Sequence, residues 1–290
     1  MSEIGPHASS GLEGPLISAE SFGALEGPLV VLDARVESRG RRAYEESHLS
    51  GALWVDLETD LAAPPDDPSV GGRHPLPPVE TWCRRLGEWG IGPETAVVVY
   101  DDQGGALAAA RVWWMLRAVD HPRVALLDGG WQAAVEAGLR CDSDTQKGAG
   151  GPVYPSPVGG TWSRPTVDIA AVDELRLDHD RTLIDVRAPD RYSGANESLD
   201  PVAGHIPGAI NLPYEDNLDS QGRFLPSEAL RQRYERLAGR EVAVYCGSGV
   251  TACHALFALE LAGLDDGALF VGSWSEWCRS ARPRALVFSD

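Results

Sequence analysis

The sequence predicts two tandem α/β domains, each a parallel sheet flanked by helices. Three observations carry that prediction. First, the chain repeats itself: VVLDAR (30–35), Tyr44, HLSGA (48–52), VVVYDDQGG (97–105) and LLDGGWQAAVEAG (126–138) return as LIDVR (183–187), Tyr192, GHIPGA (204–209), VAVYCGSGV (242–250) and LFVGSWSEW (269–277). The offset drifts from 152 at Asp33/Asp185 to 145 at Tyr100/Tyr245, as loops of unequal length require. Second, short β-branched runs alternate with longer helical patterns, the signature of strands joined by crossover helices. Third, 290 residues exceed one typical domain and suit two of about 130–150.

In chain order, the first copy spans 16–142, a stretch rich in Gly, Pro, Ser and Thr (143–163) reads as a linker, and the second copy spans 164–290. VVLDA and AVVVY are the strands of copy one. ARVWWMLRAVD (110–120) places Val112, Met115, Leu116 and Val119 on one face of an amphipathic helix. In copy two, VAVY is the matching strand, and TACHALFALELAGL (251–264) places Ala255, Leu256, Leu259 and Ala262 or Gly263 on one helical face. In such sheets the functional loop follows the carboxyl end of a central strand, which here is the segment after VAVY.

Composition narrows the chemistry. Hydrophobic residues at 43% and charged residues at 23% are ordinary for a globular chain and exclude wholesale disorder. A formal net charge of −18 without a long Lys/Arg run argues against nucleic acid and anionic membrane as partners. The first fifteen residues lack the basic and apolar regions of a signal peptide, and no stretch approaches the ~20 apolar residues of a membrane span. The cysteines (83, 141, 246, 253, 278) are odd in number, widely spaced and without a C-x-x-C pair, which disfavours a disulfide framework or zinc site. A cytoplasmic protein with reduced thiols is expected.

One thiol stands out. Tyr245-Cys246-Gly247-Ser248-Gly249-Val250-Thr251-Ala252 reads as a strand, a Gly-bearing turn and a helix start. Two glycines let the backbone curl and turn successive amides inward as an anion-binding nest, to which the helix adds its positive end. A thiol at the centre of such a cradle is expected to be held partly as thiolate, and Cys246 is the predicted nucleophile. Copy one carries Asp101-Asp102-Gln103-Gly104-Gly105 at the same place; a carboxylate is no sulfur nucleophile, so that copy is expected to be silent.

The tandem plan, the D-x-R…GHIPGA pattern, the C-G-S-G-V-T-A loop and GSWSEW resemble a two-domain rhodanese-type sulfurtransferase over about residues 16–285. C-G-S-G-V-T is similar to the 3-mercaptopyruvate sulfurtransferase branch, whereas thiosulfate sulfurtransferases typically carry a basic C-R-K-G-V-T loop; Gly247 and Ser248 offer a donor only amides and a hydroxyl. The resemblance implies tandem rhodanese-like domains, a Cys246 persulfide, pyruvate release and a thiol or cyanide acceptor such as thioredoxin or a small thiol. It implies no metal or organic cofactor. It implies that Ser248 assists the departing enolate, that His74 of GGRHPLP faces it from the first domain, and that Glu58 stands where an aspartate partner is usual. It further implies donor binding by Arg191 of PDRYSG with Gly247, Gly249, Val250 and Thr251, although Ser248 also suits a local turn bond and Thr251 a helix N-cap. A further arginine usual before GHIPG is replaced by Asn196, Glu197 and Ser198, so weaker carboxylate binding, or a second cation from elsewhere, is expected.

Residues repeated in both copies read as scaffold: Arg187 with Arg35, and His205 with His48. Cys253, seven residues past Cys246, reads as core or at most a resolving thiol; Cys83 and Cys278 read as packing, and Cys141 as exposed and unactivated. A cysteine phosphatase would need an arginine where Ala252 stands, and no G-x-G-x-x-G opens a helix as a dinucleotide site requires. Thiosulfate as donor, or a sulfur-carrier module without turnover, are the remaining alternatives.

Overall fold

The computed structural model describes residues 12, 14–25, 27–36, 40–264 and 267–287, so most of the amino-terminal segment read for a leader, and the last three residues of the second copy, lie outside it. Two five-stranded parallel sheets are present, built in the same strand order. The first runs Leu16–Ile17, Val124–Leu127, Ala96–Tyr100, Leu29–Asp33, Leu53–Trp54. The second runs Thr166–Val167, Ala268–Phe270, Glu241–Tyr245, Arg181–Asp185, Ile210–Asn211. The central strands are buried on both faces, which is why they read as unbroken β-branched runs rather than as alternating ones.

The repeated D-x-R and histidine motifs brace each sheet identically. Arg35 pairs with Asp33 at 2.7 Å and lies 4.4 Å over the Trp131 ring; Arg187 pairs with Asp185 at 2.6 Å and lies 4.9 Å over Trp274. His48 stacks on Tyr44 at 3.9 Å and His205 on Tyr192 at 3.8 Å, each ring bonded through Nδ1 to the same tyrosine's carbonyl oxygen.

The two post-strand helices depart from the amphipathic expectation. All of Ala108–Leu116 within helix Ala108–Arg117, and all of Ala252–Leu259 within helix Ala252–Leu261, are buried. Their second faces meet each other between the domains, where Trp113 packs edge-on against Phe257 at 4.7 Å. One apolar cluster runs from Trp82 and Trp113 of the first domain to Phe257 and Leu259 of the second. The residues that looked like a solvent face are the seam of a shared core.

Residues 143–163 are also more than a tether. They carry no helix or strand, yet Tyr154 is buried, its amide donating to the Cys83 carbonyl at 3.0 Å and its hydroxyl meeting His121 Nδ1 at 3.1 Å. A Cβ on Gly87 would sit 2.5 Å from the Pro152 carbonyl oxygen, so this strap lies hard against helix Val79–Glu88. Gly148 of the strap is placed for the same close approach, since a Cβ there would run into the Glu88 carbonyl oxygen.

Candidate active site

Cys246 ends the central strand of the second sheet and is 2% exposed. Its carbonyl accepts from the Trp274 amide at 3.0 Å and the next carbonyl from Ser275 at 2.9 Å, while its own amide donates to Ser273 Oγ at 3.2 Å. Ser273 holds φ 52°, the left-handed region, where copy one has Gly130 at φ 56°. The loop is therefore anchored on its backbone from behind, leaving its inner side to the cavity. Gly249 serves the turn rather than the cavity: its φ is 78°, and a Cβ there would run into the carbonyl oxygen of Val271. Thr251 stands at the N-cap position in helical conformation without a side-chain cap bond, so the capping role is not taken up, and it lines the cavity instead.

Between the domains lies a cavity of about 330 Å³ lined by Arg73, His74, Arg191, Cys246, Ser248 and Thr251, with Gly247 and Val250 also on its wall. Ser248 Oγ is 2.8 Å from His74 Nδ1, and His74 Nε2 is 2.9 Å from Glu58 Oε1. The extra methylene of glutamate thus does not prevent the contact. An ionised carboxylate only accepts, so Nε2 carries the ring proton and Nδ1 of the neutral ring accepts from the Ser248 hydroxyl. Burial lowers the His74 pKa; Glu58 opposes that, while Arg111 and Arg73 add to it. A neutral imidazole oriented by a carboxylate against a hydroxyl can take a proton and return it.

Sequence reasoning missed two arginines of the first domain. Arg111, fully buried in helix Ala108–Arg117, donates to the carbonyl oxygens of Leu61 at 3.1 Å and His74 at 2.8 Å, fixing the backbone that presents the imidazole. Its place inside an otherwise apolar helical run was the available signal. Arg73 pairs with buried Asp200 of the second domain, and its Nη2 lies 3.3 Å from where a Cβ on Gly247 would be. Arg191 Nη1 lies equally 3.3 Å from that point. Arg191 gives Nη2 to Glu197 at 2.9 Å, so the stretch that lacks the usual second arginine supplies the carboxylate that steers Arg191. Gly247 and Ser248 themselves offer amides and a hydroxyl, and two guanidiniums carried on other segments, Arg191 and a second cation from the first domain, stand at Gly247.

The remaining thiols are apart from this chemistry. Cys253 is buried, donates to the Gly249 carbonyl at 3.4 Å and is pushed by burial up to about 12, which ends its reading as a resolving thiol. Cys83 and Cys278 are buried and Cys141 exposed, and burial raises the pKa of all three.

A family profile described as "Rhodanese-like domain" matches residues 23–137 and 169–280. The chain is 43% identical over 278 residues to a Pseudomonas aeruginosa protein named "Probable 3-mercaptopyruvate sulfurtransferase", covering 92% of this chain and 96% of that one. It is 34% identical over 290 residues to the thiosulfate sulfurtransferase of Mus musculus, covering 93% and 92%. Among solved structures, the 3-mercaptopyruvate sulfurtransferase from Leishmania major superposes with a TM-score of 0.79 at 27% identity, over 96% of this chain and 77% of that one.

Proposed function

The chain belongs to the rhodanese-like family, with two such domains in tandem, and from that premise we propose that it is a sulfurtransferase moving sulfur from 3-mercaptopyruvate to a thiol or cyanide. The observation that carries the donor choice is the Ser248–His74–Glu58 chain of contacts facing Cys246 across the cavity.

In this reading the Cys246 thiolate attacks the donor's sulfur and the carbon–sulfur bond breaks, its electron pair passing to the carbon as the enolate of pyruvate. The donor's thiol proton is taken through Ser248 onto neutral His74 and returned to that carbon. Pyruvate leaves and Cys246 holds a deprotonated persulfide, so the half-reaction needs no net proton. Cyanide or a thiolate, such as that of thioredoxin or a small thiol, then attacks the outer sulfur and Cys246 departs as thiolate, a double displacement. Gly247, Val250 and Thr251 form the wall beside the sulfur, Gly249 holds the turn, and Arg191 takes the donor's anionic end.

Thiosulfate is the second reading, favoured by the guanidiniums at Gly247 and by the likeness to a thiosulfate sulfurtransferase. Among the described residues no helix is long and apolar enough to cross a membrane; the cytoplasmic setting is proposed from the odd number and wide spacing of the cysteines. The test is turnover of 3-mercaptopyruvate and thiosulfate side by side with cyanide, following thiocyanate, and pyruvate in the first arm. A large preference for mercaptopyruvate is expected. A preference for thiosulfate moves the second reading to the front, and silence with both makes the chain a carrier.

A further inference from the structure

Around the cavity mouth the charged side chains form one shared network of ion pairs. Counted by ion pairs, the guanidiniums of Arg73, Arg187, Arg191 and Arg279 share the carboxylates of Asp185, Glu197 and Asp200. Asp200 alone is contacted by Arg73, by Arg279 at 2.9 Å and by Arg191 at 3.7 Å, and its carboxylate is fully buried. Within this network four guanidiniums share three carboxylates, while Glu215 on the cavity wall and Glu58 on His74 stand outside it. Two of the four reach the loop itself, with Arg73 Nη2 and Arg191 Nη1 each 3.3 Å from the Cβ position of Gly247, inside the same cavity as Cys246. Arg187 lines the cavity without being among the atoms nearest Gly247, and Arg279 is neither on the cavity wall nor among those atoms.

The local backbone explains how Arg73 arrives there from the other domain. Gly72 has φ 78°, and a Cβ on it would run into the carbonyl oxygen of Gly272, in the turn behind the Cys246 loop. Only glycine lets the first domain press so close, and the next side chain is delivered straight into the cavity. Gly247 completes the fit, because a Cβ there would require both guanidiniums to give way by a few tenths of an ångström.

We propose that Arg73 and Arg191 jointly hold the donor's carboxylate beside Cys246, one guanidinium from each domain. The carboxylate of a 2-oxo acid meets both guanidiniums, and Asp200 and Glu197 orient the two forks toward it. The inference rests on reading the donor as such an acid, but it can be tested without that donor.

Arg73→Gln is expected to raise KM for 3-mercaptopyruvate roughly tenfold to a hundredfold with a smaller change in kcat, and Arg73→Lys to recover part of the loss. Discharge of the preloaded persulfide to cyanide should change less than the donor half-reaction. Independently, alkylation of Cys246 by iodoacetate and by neutral iodoacetamide reports the clamp without turnover. Arg73→Gln is expected to lower the iodoacetate-to-iodoacetamide rate ratio about tenfold, whereas Arg279→Gln, which removes the same charge away from the loop, leaves it near that of the unaltered protein. A loosened loop would instead move both reagents together. An unchanged ratio in Arg73→Gln, or an equal fall in Arg279→Gln, overturns the clamp. Absence of mercaptopyruvate turnover in the unaltered protein, with the ratio still falling in Arg73→Gln, overturns the donor assignment and supports the clamp.

Discussion

The loops after the two central strands have the same backbone plan and opposite contents. In the first domain the Asp101 carboxylate fills its own cradle, accepting from the amides of Gln103 at 2.9 Å, Gly105 at 2.8 Å, Leu107 at 3.2 Å and Ala109 at 3.3 Å. In the second, Cys246 stands at that place and the loop opens on a cavity. What covers each loop differs as well. Each domain lends the other a Gly-Arg-aromatic segment: Gly72-Arg73-His74 lies over Cys246 and Gly222-Arg223-Phe224 over Asp101. His74 brings a polar ring to Ser248, whereas Phe224 stacks on His254 at 4.7 Å, and the Gly222 carbonyl lies 2.6 Å from where a Cβ on Gly104 would be. In the first domain the amides hold a side chain of the loop itself; in the second the matching position carries a thiol, and the cover leaves a cavity beside it.

The largest effect is expected from swapping the filling atom. Cys246→Ser should abolish sulfur transfer with the fold retained, and adding Asp101→Cys should restore nothing, because the first loop stays closed. Thiocyanate formation by the double variant would break the contrast between the covers. Next, His74→Phe, which installs the silent domain's residue, should slow the donor half-reaction by about 10²–10⁴ while persulfide discharge to cyanide is spared. Equal loss in both half-reactions in rapid-mixing experiments would mean that the ring matters for architecture alone.

Phe224→Ala should open the silent loop at a cost of about 3–5 kcal/mol in stability and yield no activity, as measured by denaturant unfolding and turnover. Burial, outweighing the amide bonds, pushes Asp101 up to about 6 from 3.8, so its favourable contribution is whole below about pH 4 and is lost as pH rises through about 6. The stability difference between the unaltered protein and Asp101→Asn should shift by about 2–3 kcal/mol across that window; a flat difference would place an ionised carboxylate in the cradle. The smallest change is expected from Glu58→Gln, since Glu58 is 65% exposed. Because Glu58 raises the proton affinity of His74, its loss should move the acid limb of the donor half-reaction to lower pH, with a rate drop of about threefold to tenfold. Movement of that limb to higher pH would contradict the contact.

The repeat, the parallel sheets and the Cys246 loop were legible because each is written in contiguous residues. So were the partners His74, Glu58 and Ser248, through motif likeness, although their contact depends on how the domains meet. Arg73 was not legible as a donor contact: nothing within the first domain says which residue of the second it faces. The same holds for the post-strand helices, whose outer faces read as surface until their opposite number is known. Ser273 in the left-handed region was equally hidden, since only Gly130 in the other copy hints that the turn wants φ above zero.

The seam between helices Ala108–Arg117 and Ala252–Leu261 has a consequence for descent. A domain with Asp101 at the position of the nucleophile would ordinarily be free to drift or be deleted. Here, removing it would strip Phe257 and its neighbours of their cover and take away Glu58, Arg73, His74 and Arg111 together. The first repeat could surrender its chemistry, but the second cannot release it.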